Sequence, residues 1–284
     1  MKNAGSSFIF ALCSFISFSI IAVGCASNPY AVTDRVYRQQ VKLMAKSLRE
    51  ASPLPLTDSL GRPVPSYWVG TTNFGLRKPN YVIIHHTAQK STEQTLKTFT
   101  MPKSQVSAHY VVGRDGKVYH MLNDYLRAWH AGNSLWGNDR DVNSASIGIE
   151  IDNNGFEPFS AAQISSLLSL LAKLKSLYGI PQSHFIGHAD IAPGRKVDPS
   201  KYFPWKTLAD HGFGYWYDQV LDTVPRNFSA VQAMRNIGYD TKDSARALGS
   251  FKLHFMPMDT LRRDTLSDTT RRIMNNLMKK YSGN

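Results

Sequence analysis

The chain has 284 residues, of which 42% are apolar and 19% charged, and its formal net charge is +12. That length can bury one sizeable core and a smaller one, and the balanced composition argues against a fibrous or disordered protein. The basic excess favours anionic partners: nucleic acid inside a cell, or wall polymers and lipid headgroups outside one.

Residues Phe8 to Val23 form an apolar stretch behind a lone Lys2, which fits a signal-peptide core better than a membrane span. It runs into Ala22-Val23-Gly24-Cys25, small residues followed by cysteine, which resembles a bacterial lipobox. The expectation is a lipoprotein signal over residues 1–24, with Cys25 as the lipidated first residue of the mature chain. Cys13 leaves with the signal, so no pair remains for a disulfide. Ala26 follows Cys25, where an Asp would point to inner-membrane retention. By resemblance to such lipoproteins, the destination is the outer membrane, with a lipid anchor and the protein facing the periplasm. Export excludes nucleic acid as a partner.

Residues 25–70 read as the lipidated cysteine, a tether and a lead-in. Thr33–Glu50 has a thin stripe of Val36, Val41, Met44 and Leu48 and predicts a polar helix, and Pro53, Pro55, Gly61, Pro63 and Pro65 then break regular structure. Within residues 71–218 the strands are Tyr81–His85, a hairpin of Ala108–Val112 and Lys117–Leu122 around a Gly/Asp turn, Ser146–Ile151 and Phe185–Gly187. Ser160–Tyr178 is the clearest helix. Ser160 and Gln163 form a capping box, and Ile164, Leu167, Leu168, Leu171, Leu174 and Leu177 line one face before Gly179 and Pro181. The mixture predicts an α/β domain with a mixed central β-sheet flanked by helices. Residues 219–284 predict a small three-helix bundle: Ser229–Ile237, Asp243–Phe255 and Ser267–Tyr281. Its eleven Lys/Arg against six Asp give this module a net charge of +5.

Two strand ends carry the chemistry. Tyr81-Val82-Ile83-Ile84 ends in His85-His86, and Phe185-Ile186-Gly187 opens into His188-Ala189-Asp190-Ile191-Ala192-Pro193-Gly194-Arg195-Lys196-Val197-Asp198. Loops at strand ends present polar groups from a rigid scaffold. His188 and Asp198 can supply two of three zinc ligands and leave a water position open, and the third can come from the His85-His86 pair. Neighbours on a strand point to opposite faces, so only one of that pair can meet the metal. Glu150 ends an Ile-Gly-Ile run, where an ionised carboxylate is costly unless compensated. A metal, a carboxylate and a nearby cation such as Lys196 can polarise a carbonyl, carry a proton and steady an oxyanion.

His85-His86-Thr87-Ala88, Ser107-Ala108-His109-Tyr110, Ala128-Trp129-His130-Ala131-Gly132, Ser146-Ile147-Gly148-Ile149-Glu150 and the 187–198 run occur in order over about residues 75–218. Together they resemble zinc-dependent N-acetylmuramoyl-L-alanine amidases of the type 2 class. The resemblance implies Zn2+ held by His85, His188 and Asp198, with Glu150 as catalytic acid/base and Lys196 stabilising the transition state. It also implies peptidoglycan and muropeptides as partners, with Trp129, His130 and His109 in the substrate groove. His86 is left beside or behind the site. Ile237-Gly238-Tyr239-Asp240 and Phe251-Lys252-Leu253-His254-Phe255 resemble a helical peptidoglycan-binding domain, although Arg263-Asp264-Thr265-Leu266-Ser267 replaces its usual glycine-rich turn. A non-catalytic peptidoglycan receptor on the same fold is the alternative reading. Such relatives typically lack a zinc ligand, whereas His85, His188 and Asp198 are all present here.

Overall fold

The computed structural model describes residues 28–50, 55–260 and 264–283. The signal, Cys13 and the lipobox with Cys25 lie outside the described residues. The chain divides into two units, residues 1–70 and 71–284.

In the first unit, α1 (Ala31–Ser47) forms where a helix is expected but buries none of its residues. Val36, Met44 and Leu48 are exposed, so the stripe is not a core face. The proline-rich stretch holds a short antiparallel pair, β1 (Leu56–Thr57) and β2 (Pro63–Val64). Asp58 closes its turn by accepting the N–H groups of Leu60 and Arg62 and the Arg62 Nε–H. A side-chain clamp of this kind leaves no alternation in the sequence to announce it.

The second unit is built on β3 (Tyr81–His86), β4 (Tyr110–Val112), β5 (Val118–His120), β6 (Ser146–Ile151) and β7 (Phe185–Gly187), with helices α2 (Thr92–Thr100), α3 (Val142–Ala145), α4 (Ala161–Tyr178), α5 (His188–Ile191) and α6 (Trp205–Asp210) among and after them. Their order is β5-β4-β6-β3-β7, with β4–β5 antiparallel and the other pairs parallel, so the sheet is mixed as predicted. Alternation sends Val82 and Ile84 to one face and Ile83 and His85 to the other. The first face, with Ile147, Ile149 and Ile151, packs on α4 (Ala161–Tyr178) through Leu167, Leu171 and Leu174. The capping box of Ser160 and Gln163 is formed, and Gly179 ends the helix in the left-handed region at φ 62°. Leu177 is exposed and Tyr178 takes its place. At 100° per residue, position 177 lies about 90° off the centre of the 167–171–174–178 stripe.

The other face is covered by α7 (Ala230–Ile237), α8 (Ser244–Phe255) and α9 (Asp268–Ser282), capped by Ser229, Asp243 and Ser267. Ile83 and Ile186 share a buried cluster with Met234, Ile237, Phe251, Phe255, Ile273 and Leu277. The sequence reading set residues 219–284 apart as a separate unit. In the structure those helices complete the sheet's second core.

Candidate active site

The site forms at the carboxyl ends of β3, β6 and β7, where an open parallel sheet leaves a crevice. Register accounts for the convergence. His85 is the Cα partner of Glu150 across β3–β6, and Ile84 pairs with Gly187 across β3–β7, so the next step along places His188 beside His85. His188 opens a short helix, α5 (His188–Ile191). The loop then folds back, with the Ala189 N–H on the Asp198 carbonyl at 2.7 Å and the Lys196 N–H on the Ala192 carbonyl at 3.1 Å. A ten-residue separation in sequence becomes a contact.

His85 Nδ1 lies 2.9 Å from His188 Nδ1 and 3.2 Å from Asp198 Oδ2, and His188 Nδ1 lies 3.0 Å from the same oxygen. The protons on these rings follow from their other contacts. His188 Nε2 faces the Ala131 carbonyl at 3.2 Å, which can only accept, so Nε2 carries the hydrogen and Nδ1 is bare. For His85 the chain is longer. Ser146 Oγ donates to the Val142 carbonyl and accepts from His130 Nε2, so His130 Nδ1 is bare and accepts from His85 Nε2–H at 3.1 Å. His85 Nδ1 is therefore also a lone pair. Burial, then the neighbouring His188, lowers His85 to about 4, and burial holds His130 well below its ordinary value, so both rings are neutral at pH 7.

Two imidazole lone pairs and a carboxylate oxygen thus point at one another within 3.2 Å, an arrangement that repels unless a cation sits among them. These three residues also form a possible metal cluster by separation alone. The donor set fits a small divalent metal.

Glu150 Oε1 stands 3.9 Å from His85 Nδ1, and its Oε2 is buried with no hydrogen-bond partner. Burial, then the Asp198 carboxylate, raises Glu150 from 4.5 to about 8, and the Lys196 ammonium partly opposes this. Lys196 is partly buried and lines a 620 Å³ cleft with Gly194, Val197 and residues of α8.

Three expected groove residues fare differently. Trp129 is 53% exposed and stays available to a ligand. His130 is buried behind His85 with both ring nitrogens engaged, so it orients the His85 ring and has no nitrogen left for substrate. His109 is fully buried; its Nδ1 accepts the Gly148 N–H at 3.1 Å and its Nε2–H meets the Leu126 carbonyl, so it fastens β6. Both histidines are corrections to the sequence reading, because adjacency in a motif does not reveal which way a ring faces. His86 points to the opposite face and accepts the Ser200 N–H at 3.1 Å, bracing the chain just after Asp198.

Other supporting groups were invisible in the sequence because they act through backbone. Asn143 Oδ1 accepts the N–H groups of His130 and Ala131, pegging the loop that aims the His85 and His188 rings. Arg195 donates to the Ala131 and Asn133 carbonyls and joins that loop to the 187–198 run. Gly148 is a space requirement: a Cβ there would lie 2.4 Å from His130 Cγ.

An α/β sheet with a carboxyl and a His-His-Asp cluster that could hold a metal at its strand ends has the architecture of a hydrolase. A family model for N-acetylmuramoyl-L-alanine amidase, Amidase_2, matches residues 75–201. N-acetylmuramoyl-L-alanine amidase AmiD of Escherichia coli is 33% identical over 232 residues, covering 70% of this chain and 82% of that protein. The 1,6-anhydro-N-acetylmuramyl-L-alanine amidase AmpD of Haemophilus influenzae is 40% identical over 103 residues, 36% of this chain and 56% of that protein. Among solved structures, AmiD from E. coli in complex with anhydro-N-acetylmuramic acid-L-Ala-D-gamma-Glu-L-Lys gives a TM-score of 0.65 at 29% identity, covering 80% of this chain and 98% of that one. AmpDh3 from Pseudomonas aeruginosa gives 0.66 at 28% identity, over 76% and 96%. The chain belongs to the N-acetylmuramoyl-L-alanine amidase family.

Proposed function

We propose that the protein is a zinc-dependent N-acetylmuramoyl-L-alanine amidase that cuts the amide between the lactyl group of N-acetylmuramic acid and L-Ala of a peptidoglycan stem peptide. The observation that carries this is the meeting of three lone-pair donors beside a carboxyl whose buried Oε2 has no hydrogen-bond partner among the described residues. The nitrogen–nitrogen–oxygen set suits zinc, whose tetrahedral bonds of about 2.0–2.2 Å give ligand separations near 3.3 Å, close to those found here. His85, His188 and Asp198 would hold the ion, leaving a fourth position open.

Bound there, zinc supplies Lewis acidity that polarises the scissile carbonyl and acidifies a water. Glu150 handles the proton: a cation held at the adjacent cluster would favour its ionised form, and its Oε2 then accepts the proton from the attacking water and returns it to the amide nitrogen as the C–N bond breaks. Lys196 steadies the negative charge that develops on the carbonyl oxygen. Trp129 offers an exposed apolar face against which a sugar ring or peptide can lie.

The lipobox supports attachment of Cys25 to the outer membrane with the enzyme facing the periplasm, and residues 25–70 would then span from lipid to wall. The C-terminal helices would add affinity for the polymer. Incubating the purified protein with a muropeptide tests the reaction: a new free α-amino group on L-Ala marks an amidase. A ligand that binds and is recovered intact marks a receptor.

A further inference from the structure

Asp190 lies two residues beyond His188 and belongs neither to the ligand set nor to the proton path. It is 1% exposed, yet both carboxyl oxygens are engaged. Oδ2 accepts the Gly187 N–H at 2.8 Å and the His254 Nδ1–H at 2.7 Å, and Oδ1 accepts the Tyr239 hydroxyl at 2.7 Å. The last two donors come from the C-terminal helices: Tyr239 just follows α7, and His254 is in the last turn of α8. Both are buried. Packing fixes their directions, because His254 stacks on Trp205 at 3.9 Å and Tyr239 meets Trp136 edge-on at 5.1 Å.

We infer that Tyr239 and His254 are positioning residues of the metal site, holding Asp190 so that α5 presents His188 to the ion. This rests on the metal-site reading above and extends it, giving the C-terminal helices a part in the catalytic centre whether or not they bind wall. Four residues cannot sustain a helix by their own hydrogen bonds, so α5 depends on what caps and covers it. The Asp190 contact to Gly187 N–H sets the start of that helix, one residue before His188. A buried carboxyl that loses a donor is costly, so the three donors together define one placement. Around it, Ile191 and Ala192 sit in the core shared with Met234 and Phe251, and the Arg246 side chain covers Gly194. The Ala131 carbonyl aims the His188 ring, and Asp190 fixes its backbone. Ligand placement tolerates little looseness: about 0.5 Å is the margin for a preorganised site.

The test uses the full chain with Tyr239→Phe, His254→Leu and His254→Asn. Zinc affinity is read by competition with a chromogenic chelator, and urea unfolding of the zinc-free proteins reports stability separately. Tyr239→Phe removes a single oxygen from a packed ring and keeps the fold. Tyr239→Phe and His254→Leu should weaken zinc binding by roughly ten-fold or more, the scale seen for supporting residues behind metal ligands. His254→Asn, whose amide N–H stands where Nδ1–H stood, should recover most of that loss. Unchanged zinc affinity in folded Tyr239→Phe and His254→Leu, or an Asn variant no better than Leu, would overturn the inference and leave a purely stabilising role. Wild-type protein that takes up no zinc would instead defeat the metal-site reading, and this inference with it.

Discussion

His85 and Glu150 face each other as register partners on adjacent parallel strands, with Glu150 Oε1 3.9 Å from His85 Nδ1. Sheet geometry alone therefore sets the Glu150 carboxyl beside the His85 imidazole. Both backbones are placed by strands rather than loops, and the strands beneath them are fully buried at Ile83, Ile84, Ile147 and Ile149. The parts most exposed to chance are the later arrivals, His188 and Asp198, and these are tied down by backbone contacts and by the loop around Ala131.

Glu150→Gln should keep bound zinc and the fold while turnover drops to background, read by metal analysis and by release of the stem peptide. Metal-stripped protein gives a second readout. The folded carboxyl titrates at about 8 against 4.5 when exposed, so between those values the folded state holds a proton that the unfolded state has lost. Wild-type stability contributed by this group is thus present below 4.5 and falls as pH rises through 8. The Gln variant lacks that loss. Its advantage in urea unfolding should grow across this window by at most about 1.4 kcal/mol per pH unit.

Asp198→Ala should lower bound zinc to well below one equivalent, because two imidazoles alone make an incomplete site. Metal analysis of the purified variant checks this. Full zinc content would take Asp198 out of the ligand set.

Gly148→Ala puts a methyl group 2.4 Å from His130 Cγ, close to the root of a ring pinned at both nitrogens. The ring must move, which releases the Nε2–H of His85. We expect a stability loss of roughly 1–3 kcal/mol by urea unfolding, together with weaker zinc binding. A variant that matches the wild type in both would show that His130 does not orient His85.

Cys25→Ser should move the protein from the membrane fraction to the soluble fraction after cell lysis. Continued membrane association would rule out the lipobox.

Much of this was legible in the sequence where one short segment carries its own signal. The α4 capping box, the Ile-Gly-Ile run of β6 and the three C-terminal helices all formed where local pattern put them, and the first residues read for those helices, Ser229, Asp243 and Ser267, are their N-caps. Helix α2 (Thr92–Thr100) was not legible: four threonines in nine residues give poor helix propensity, and tertiary contacts such as Thr92 Oγ1 on Asp152 at 2.6 Å hold it instead. At the site, motif resemblance singled out His85, His188, Asp198 and Glu150, and the structure brings all four together. It misjudged His109 and His130 because a histidine's role depends on what each nitrogen faces, and those partners are backbone groups and side chains distant in sequence. The tie from α8 to Asp190 was hidden for the same reason: it joins residues 64 positions apart.

Titration of metal-stripped protein with zinc, following peptide release from a muropeptide, tests the central claim most directly. Activity should be absent without metal, rise in proportion to added zinc and level off at one equivalent per chain. Turnover that is full in the stripped protein and indifferent to zinc would contradict the account.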